Sequence, residues 1–243
     1  MFSIAKKDFV YFFQDIIGFL IILFFSISSS IPLFILKGNY NILNSGFGDL
    51  QIFFSLLPWL LLVLIPSLCM RSFSEENKNG TLTLLLTHPI PLFKIVLGKF
   101  IGIFCIFLCI LLPTGIYAII IESLLKEDSV FDWGSALGAY MGLIFLSSVF
   151  ISISIWASSL FKNQISAFIL GVCSCLFFFY GWEELVAFSK SVIVYKTIKP
   201  IGIYHHYQNI SKGVFSMQDF IYFVGITYFF LLLTKIKLEK RKK

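Results

Sequence analysis

Residues 16–36 carry no charged side chain, and the same kind of apolar stretch recurs five more times along the chain. A helix needs about 20 predominantly apolar residues to cross the hydrocarbon layer of a bilayer. The spacing predicts six spans, at about 16–36, 52–70, 100–121, 134–161, 165–182 and 220–234. The last is short and uses Asp219 and Lys235 as interfacial ends. Pro58 and Pro66 fall inside the second. Each frees a backbone carbonyl, so that span is expected to be kinked and packed against neighbours instead of lipid. Composition points the same way. Hydrophobic residues make up 58% and charged residues 13%, with a mean hydropathy of +0.91. Soluble domains carry roughly a quarter charged residues, so this chain cannot cover itself with polar surface. A soluble enzyme, a disordered chain and a collagen-like chain are excluded. The expected fold is an all-α integral membrane protein, one domain over residues 1–243, with 30 Phe suited to a lipid-facing surface.

An even number of spans puts both ends on one side. Lys6, Lys7, Arg71, Lys78, Lys94, Lys99, Lys162 and the six basic residues of the tail (235–243) share that side. Lys37, Lys126, Lys190, Lys196, Lys199 and Lys212 lie on the other. The excess of Lys and Arg marks the first side, and both termini, as cytoplasmic. The net charge of +6 therefore reflects membrane orientation; the basic residues form no groove-sized patch for nucleic acid. The apolar run through 31–36 is too long for a cleaved signal peptide. Ahead of the first span, Phe2, Ala5, Phe9, Phe12, Phe13 and Ile16 share one helical face. Ser3, Lys7, Asp8, Tyr11, Gln14 and Asp15 lie opposite, which predicts an amphipathic helix in the cytoplasmic interface. The five cysteines all sit in apolar runs and read as buried hydrophobes rather than a disulfide framework or a metal site.

Enzyme signatures are missing. Gly98-Lys99 lacks the upstream glycine of a phosphate loop, and neither H-E-x-x-H nor G-x-S-x-G occurs. His205-His206 are adjacent, so they do not share a helical face, and a solvated or interfacial external pair is expected rather than a metal site. No catalytic residue is assigned. None of the assigned spans carries an ionisable residue near its middle, which weighs against an ion-coupled carrier. The fourth span is rich in serine, including Ser148, Ser152 and Ser159, behind Gly138-x-x-x-Gly142. Two readings stay open: a close-packed helix seam, which small residues favour, and a serine-lined pathway.

The segment 71–99 between the second and third spans is the most informative. Gly80 breaks the backbone, and Thr81 is placed to cap a helix of about two turns that Pro89 ends. That helix carries Leu82, Leu84, Leu85 and Leu86, too few apolar residues to span and too many for a solvated loop. It needs a protein surface or the membrane interface to cover it.

These residues resemble the ABC-2 type permeases. Phe73, Glu75-Glu76, Gly80-Thr81-Leu82, Leu84-Leu85-Leu86-Thr87, Pro89-Ile90 and Leu97-Gly98-Lys99 follow that family's pattern, and the six-span layout extends the likeness over the whole chain. Overall texture and length resemble the gliding-motility-associated permeases of Bacteroidetes within it. The resemblance implies the membrane half of an ATP-driven exporter in the bacterial inner membrane. It implies a separate cytoplasmic ATPase that binds ATP and Mg, and a second permease copy or a related permease as dimer partner. It further implies that 71–99 holds the coupling element, with Glu75, Glu76, Lys78, Gly80 and Thr81 as contacts to the ATPase, and that 183–219 forms a membrane-dipping external segment. Thr83 stands where the family usually has Glu, so a hydroxyl, or Glu75 and Glu76, must serve there. A non-transporting membrane anchor of the gliding machinery is the alternative, and an ion-coupled carrier the third.

Overall fold

The computed structural model describes residues 2–35, 50–87, 90–125, 131–188, 199–213 and 216–242, and these are almost entirely helical. Among the described residues there is no strand. Among the same residues five helical stretches are long and apolar enough to cross a membrane: Gln51–Lys78, Leu92–Leu124, Trp133–Leu160, Gln164–Leu185 and Met217–Lys242. A sixth arises when the bent pair at the N-terminus is taken as one unit. There α1 (Phe2–Gln14) meets α2 (Ile16–Phe34), with a bend of 74°.

The third element, α3 (Gln51–Cys69), runs on through both prolines. Pro58 and Pro66 are buried, so the carbonyls they free lie against protein. The interruption comes later, at Met70, after which the chain resumes as α4 (Arg71–Lys78) and α5 (Thr81–Thr87). Next come α6 (Leu92–Leu111) and, beyond a 3-10 turn containing Pro113, α7 (Gly115–Leu124). The third span thus starts eight residues before the expected 100. Lys94 and Lys99 looked like loop residues, yet both belong to its helix. The expected end of the first span at Leu36, and Pro89, lie outside the described residues.

The centre of the bundle is α8 (Trp133–Leu160). It touches α3, α4, α6 and the later helices α9 (Gln164–Leu176), α11 (Ile203–Ser211) and α12 (Met217–Lys242). At about 1.5 Å per residue its 28 residues reach roughly 42 Å, more than the hydrocarbon thickness. Its sequence is apolar all round because helices surround it. The outward faces of α2, α7 and α12 expose large apolar side chains such as Phe19, Phe24, Ile119 and Phe229, which is the surface a bilayer covers. The last helix extends over 26 residues, well beyond the 15 of the expected span, since its charged turns continue the same helix.

Between α9 and α10 (Trp182–Phe188) the helix widens into a π segment at Phe177–Gly181. This turn carries Phe179 inward, edge-on to Trp59, Phe150 and Tyr204. The chain later returns as α11, part of the predicted external segment; its apolar piece Val192, Ile193 and Val194 lies outside the described residues. Tyr207 on α11 is buried and donates its hydroxyl to Phe54 O at 2.6 Å. Gly142 makes room for this return. A Cβ there would stand 3.0 Å from Ile210 Cγ2. Of the two readings of His205-His206, the solvated one does not hold for His206, which is partly buried. Its Nε2 donates to Pro200 O (2.7 Å), Nδ1 lies 2.5 Å from Asp219 Oδ1, and the ring stacks on Tyr222.

Replacing Gly142 with Leu is therefore expected to push α11 off α8. A cysteine placed at Ile210, buried in the parent, should then react with a water-soluble maleimide, whereas Gly142→Ala should leave it largely protected.

Candidate functional site

The end of the bundle that gathers the N-terminus, α4, α5, the start of α6 and the tail of α12 is held by polar contacts. At the break after Met70 the amides of Phe73 and Ser74 reach a side chain of another helix. The hydroxyl of Ser158 on α8 accepts from both, at 3.0 and 3.2 Å, and donates to Met70 O at 3.1 Å. A hydroxyl from the central helix thus caps α4, a task normally given to the residue just ahead of a helix. Two further contacts fasten the same end. Asn77 Nδ2 donates to Phe161 O, and Arg241 Nη2 donates to Leu160 O, each at 3.2 Å, so α4 and α12 both serve the exposed carbonyls where α8 stops.

The α4–α5 hairpin turns at Gly80, whose φ of +72° strains any residue with a side chain. Thr81 does not cap α5. It is the first residue of that helix, and its hydroxyl reaches back to Glu76 O at 3.3 Å, while Thr83 donates to Gly80 O at 2.6 Å. The tip residues Lys78, Asn79, Gly80, Thr81 and Thr83 are exposed. Behind them Leu82 is buried and Leu85 packs on the core, so the protein itself covers that part of the short helix.

Lys99 is the charge within this end. Its side chain is 3% exposed, and its ammonium donates to Ser72 O (2.6 Å) and Glu76 Oε1 (2.8 Å). It also stands 4.9 Å from the centre of the Phe73 ring and 4.0 Å from Asp8 Oδ2. Asp8 comes from α1, which packs on α6 where Gly102 lets the Ala5 backbone approach. Next to it Arg71 Nη1 pairs with Asp15 at 2.7 Å. The two carboxylates expected on a solvated face of α1 instead point into this end of the bundle. Burial raises the Asp8 pKa above its ordinary value; Lys99 lowers it by a smaller amount and Glu76 adds to the rise. Between α1, the base of α3, α4 and α6 lies a cavity of about 290 Å³.

A family model described as ABC-2 family transporter protein matches residues 3–237. The chain belongs to this family. It is a multi-pass membrane protein and a permease component by that membership. Comparison with curated proteins gives no match.

Of the residues singled out in the permease from its sequence, Glu75, Glu76, Lys78, Gly80 and Thr81 all lie in or beside the hairpin, but they divide. Lys78 and Gly80 face outward, Thr81 is exposed at the edge of the cavity, and Glu75 and Glu76 line it, with Glu76 held by Lys99. On α8, Ser148 meets Thr227 of α12 at 3.1 Å. Ser152 and Ser159 are buried and donate to carbonyls one turn back in their own helix, Val149 O and Trp156 O. Ser158, the serine with the structural task, carries no distinguishing signal among its neighbours in sequence. Lys99 did carry one, as a charge within an apolar helical period.

Removing one partner of a buried ion pair strands the other, at a cost of order 3 kcal/mol. Lys99→Met should therefore lower the melting temperature of the purified permease by several degrees. Adding Glu76→Gln to it should recover part of the loss, because Glu76 is then no longer a stranded charge, although Asp8 still lacks its cation. Simple addition of the two single effects in a double-mutant cycle would contradict the pairing.

Proposed function

We propose that this permease is the membrane half of an ATP-driven exporter in a bacterial cytoplasmic membrane, and that the α4–α5 hairpin is where a separate cytoplasmic ATPase acts on it. ATP and Mg belong to that ATPase, and a second copy or a related permease completes the assembly. A place in gliding motility is part of the proposal; overall texture and length support it. The observation that carries the reading is the two-sided character of the hairpin. Its tip (Lys78, Gly80, Thr81) is exposed, while its base is hydrogen-bonded to the central helix through Ser158 and paired with α6 through Lys99.

Closure of two ATPase subunits around ATP would displace the tips that they hold. Because the base of α4 is bonded to α8, that displacement reaches the helix on which most of the bundle packs. Coupling of this sort requires the nucleotide states to engage the two bundle packings differently. Thr83, one residue beyond Leu82 on the exposed side, offers the partner a hydroxyl in place of a carboxylate.

Gly80→Pro tests this. Proline fixes φ near −65° and cannot adopt the turn, so the tip must rearrange while the spans stay intact. The variant should insert in the membrane and copurify with its parent-like helix content, yet lose the permease-dependent change in ATPase rate. Full coupling in that variant would overturn the lever. A parent protein that binds the ATPase without altering its rate would favour the non-transporting anchor.

A further inference from the structure

At the end of the bundle opposite the hairpin, His206 of α11 lies between two oxygen atoms. Its Nε2 is 2.7 Å from Pro200 O, in the 3-10 turn Lys199–Ile201, and its Nδ1 is 2.5 Å from Asp219 Oδ1, in the first turn of α12. The ring stacks on Tyr222 with centroids 4.0 Å apart, and the Tyr222 hydroxyl donates to Ile201 O. Three elements therefore meet at one imidazole. The Asp219 side chain is 5% exposed and that of His206 14%, so bulk water does not simply replace a lost contact.

A carbonyl oxygen can only accept, and so can an ionised carboxylate, whereas a neutral imidazole owns a single N–H. It cannot serve both. With the hydrogen on Nε2, the Nδ1 lone pair would face a carboxylate oxygen; with it on Nδ1, the Nε2 lone pair would face the Pro200 carbonyl. The arrangement thus holds one further proton between Nδ1 and Oδ1, whether written as imidazolium with carboxylate or as imidazole with carboxylic acid. The other titratable groups on elements packed against α11 have partners elsewhere. Tyr140 on α8 shares a hydrogen bond with Thr114, and Tyr180 on the π segment bonds with Glu184. On α11 itself Tyr207 donates to Phe54 O, and the His205 ring is 5.8 Å away. Lys199 precedes Pro200 in the turn.

We propose that His206 and Asp219 form a proton-binding latch. With the proton in place, the first turn of α11 is held to α12 and to the 3-10 turn; without it, that turn is released. The closed form is the one that binds the extra proton, so closure belongs to lower pH and is lost as pH rises. What the latch covers is aromatic. Tyr204 lies edge-on to Phe179 and Tyr180 of the π segment, at 5.3 and 5.7 Å, and freeing the first turn lifts it off them. The second half of α11 has anchors of its own, Tyr207 on Phe54 O and Ile210 against Gly142, and stays in place. The latch stands whether or not an ATPase engages the hairpin tip.

The test uses the full chain in detergent with a cysteine at Ile203, buried at the start of α11, and a water-soluble maleimide. Labelling of the native cysteines is subtracted. Each rate is divided by that of a cysteine at the exposed Lys212, which removes the pH dependence of thiol reactivity. From about pH 5.5 to about pH 9 the relative rate should rise about tenfold, the loss of one charge-assisted hydrogen bond. A cysteine at Ile210 should stay protected throughout. Two variants should part in opposite directions. Asp219→Asn should keep Ile203 protected across the range, because an amide presents its nitrogen or its oxygen to Nδ1 as the ring requires, while Nε2 keeps Pro200 O. His206→Gln should label fast across the range, since its one amide nitrogen cannot serve both acceptors. A parent rate independent of pH, an undiminished rise in Asp219→Asn, a protected His206→Gln, or joint release of Ile203 and Ile210 would each overturn the latch. Should His206→Gln fail to fold, the profile of Asp219→Asn decides alone.

Discussion

One ammonium group organises the basic end of this bundle. Lys99 sits seven residues into α6, where its side chain is almost wholly removed from water. A charge so placed persists only with partners close by. Those partners come from α4 (the Ser72 carbonyl and Glu76) and, at longer range, from α1 (Asp8). Satisfying one charge therefore fixes three elements against each other: the amphipathic helix, the hairpin and the third span. Without it, nothing would oblige a short polar helix such as α4 to lie against α6.

Ser158 performs the corresponding task for the central helix. Bundles in lipid gain little from burying apolar side chains against each other, since the lipid tails are equally apolar. Specific registration must then come from polar contacts and from close approach of small residues. Both occur here: Ser158 closes the gap at Met70, and Gly142 lets α11 settle on α8. The predicted helix seam on α8 consequently serves three partners at different depths, with α11 at one end, α12 at Ser148 and α4 at Ser158.

The membrane class and the number of apolar segments were legible because hydrocarbon imposes a length and a composition that no tertiary context relaxes. The break at Gly80 was legible for a similar reason, since few residues tolerate its φ. Helix ends were harder. Lys94, Lys99 and the charged turns after Thr234 continue their helices beyond the apolar run, so hydropathy marks the hydrocarbon and not the helix. Asp8 and Asp15 were assigned to the polar face of an interfacial helix, and His206 to a solvated or interfacial pair, on periodicity alone. Periodicity shows which residues share a face, but it cannot show that another helix, bearing Lys99, Arg71 or Asp219, will arrive opposite that face. The role of Ser158 was hidden for the same reason, among serines such as Ser147, Ser152 and Ser159 that bond back to carbonyls of their own helix.

The way the hairpin is fixed bears on what it can transmit. A helix of eight residues has too little buried area to stay rigid through apolar packing alone; on α4 only Phe73 and Ser74 are buried. Its stiffness comes from directional contacts at both ends, with Ser158 at the first turn and Asn77 to Phe161 O near the last. Directional bonds resist rotation as well as translation, whereas a greasy contact would let the element slide. A displacement of the tip would therefore reach the central helix at two points about one turn of α4 apart. Because Asn77 bonds at the end of α8 and Ser158 lies one turn inside it, such a displacement would act there as a tilt, and the helices on either side of α8 would have to repack to follow it.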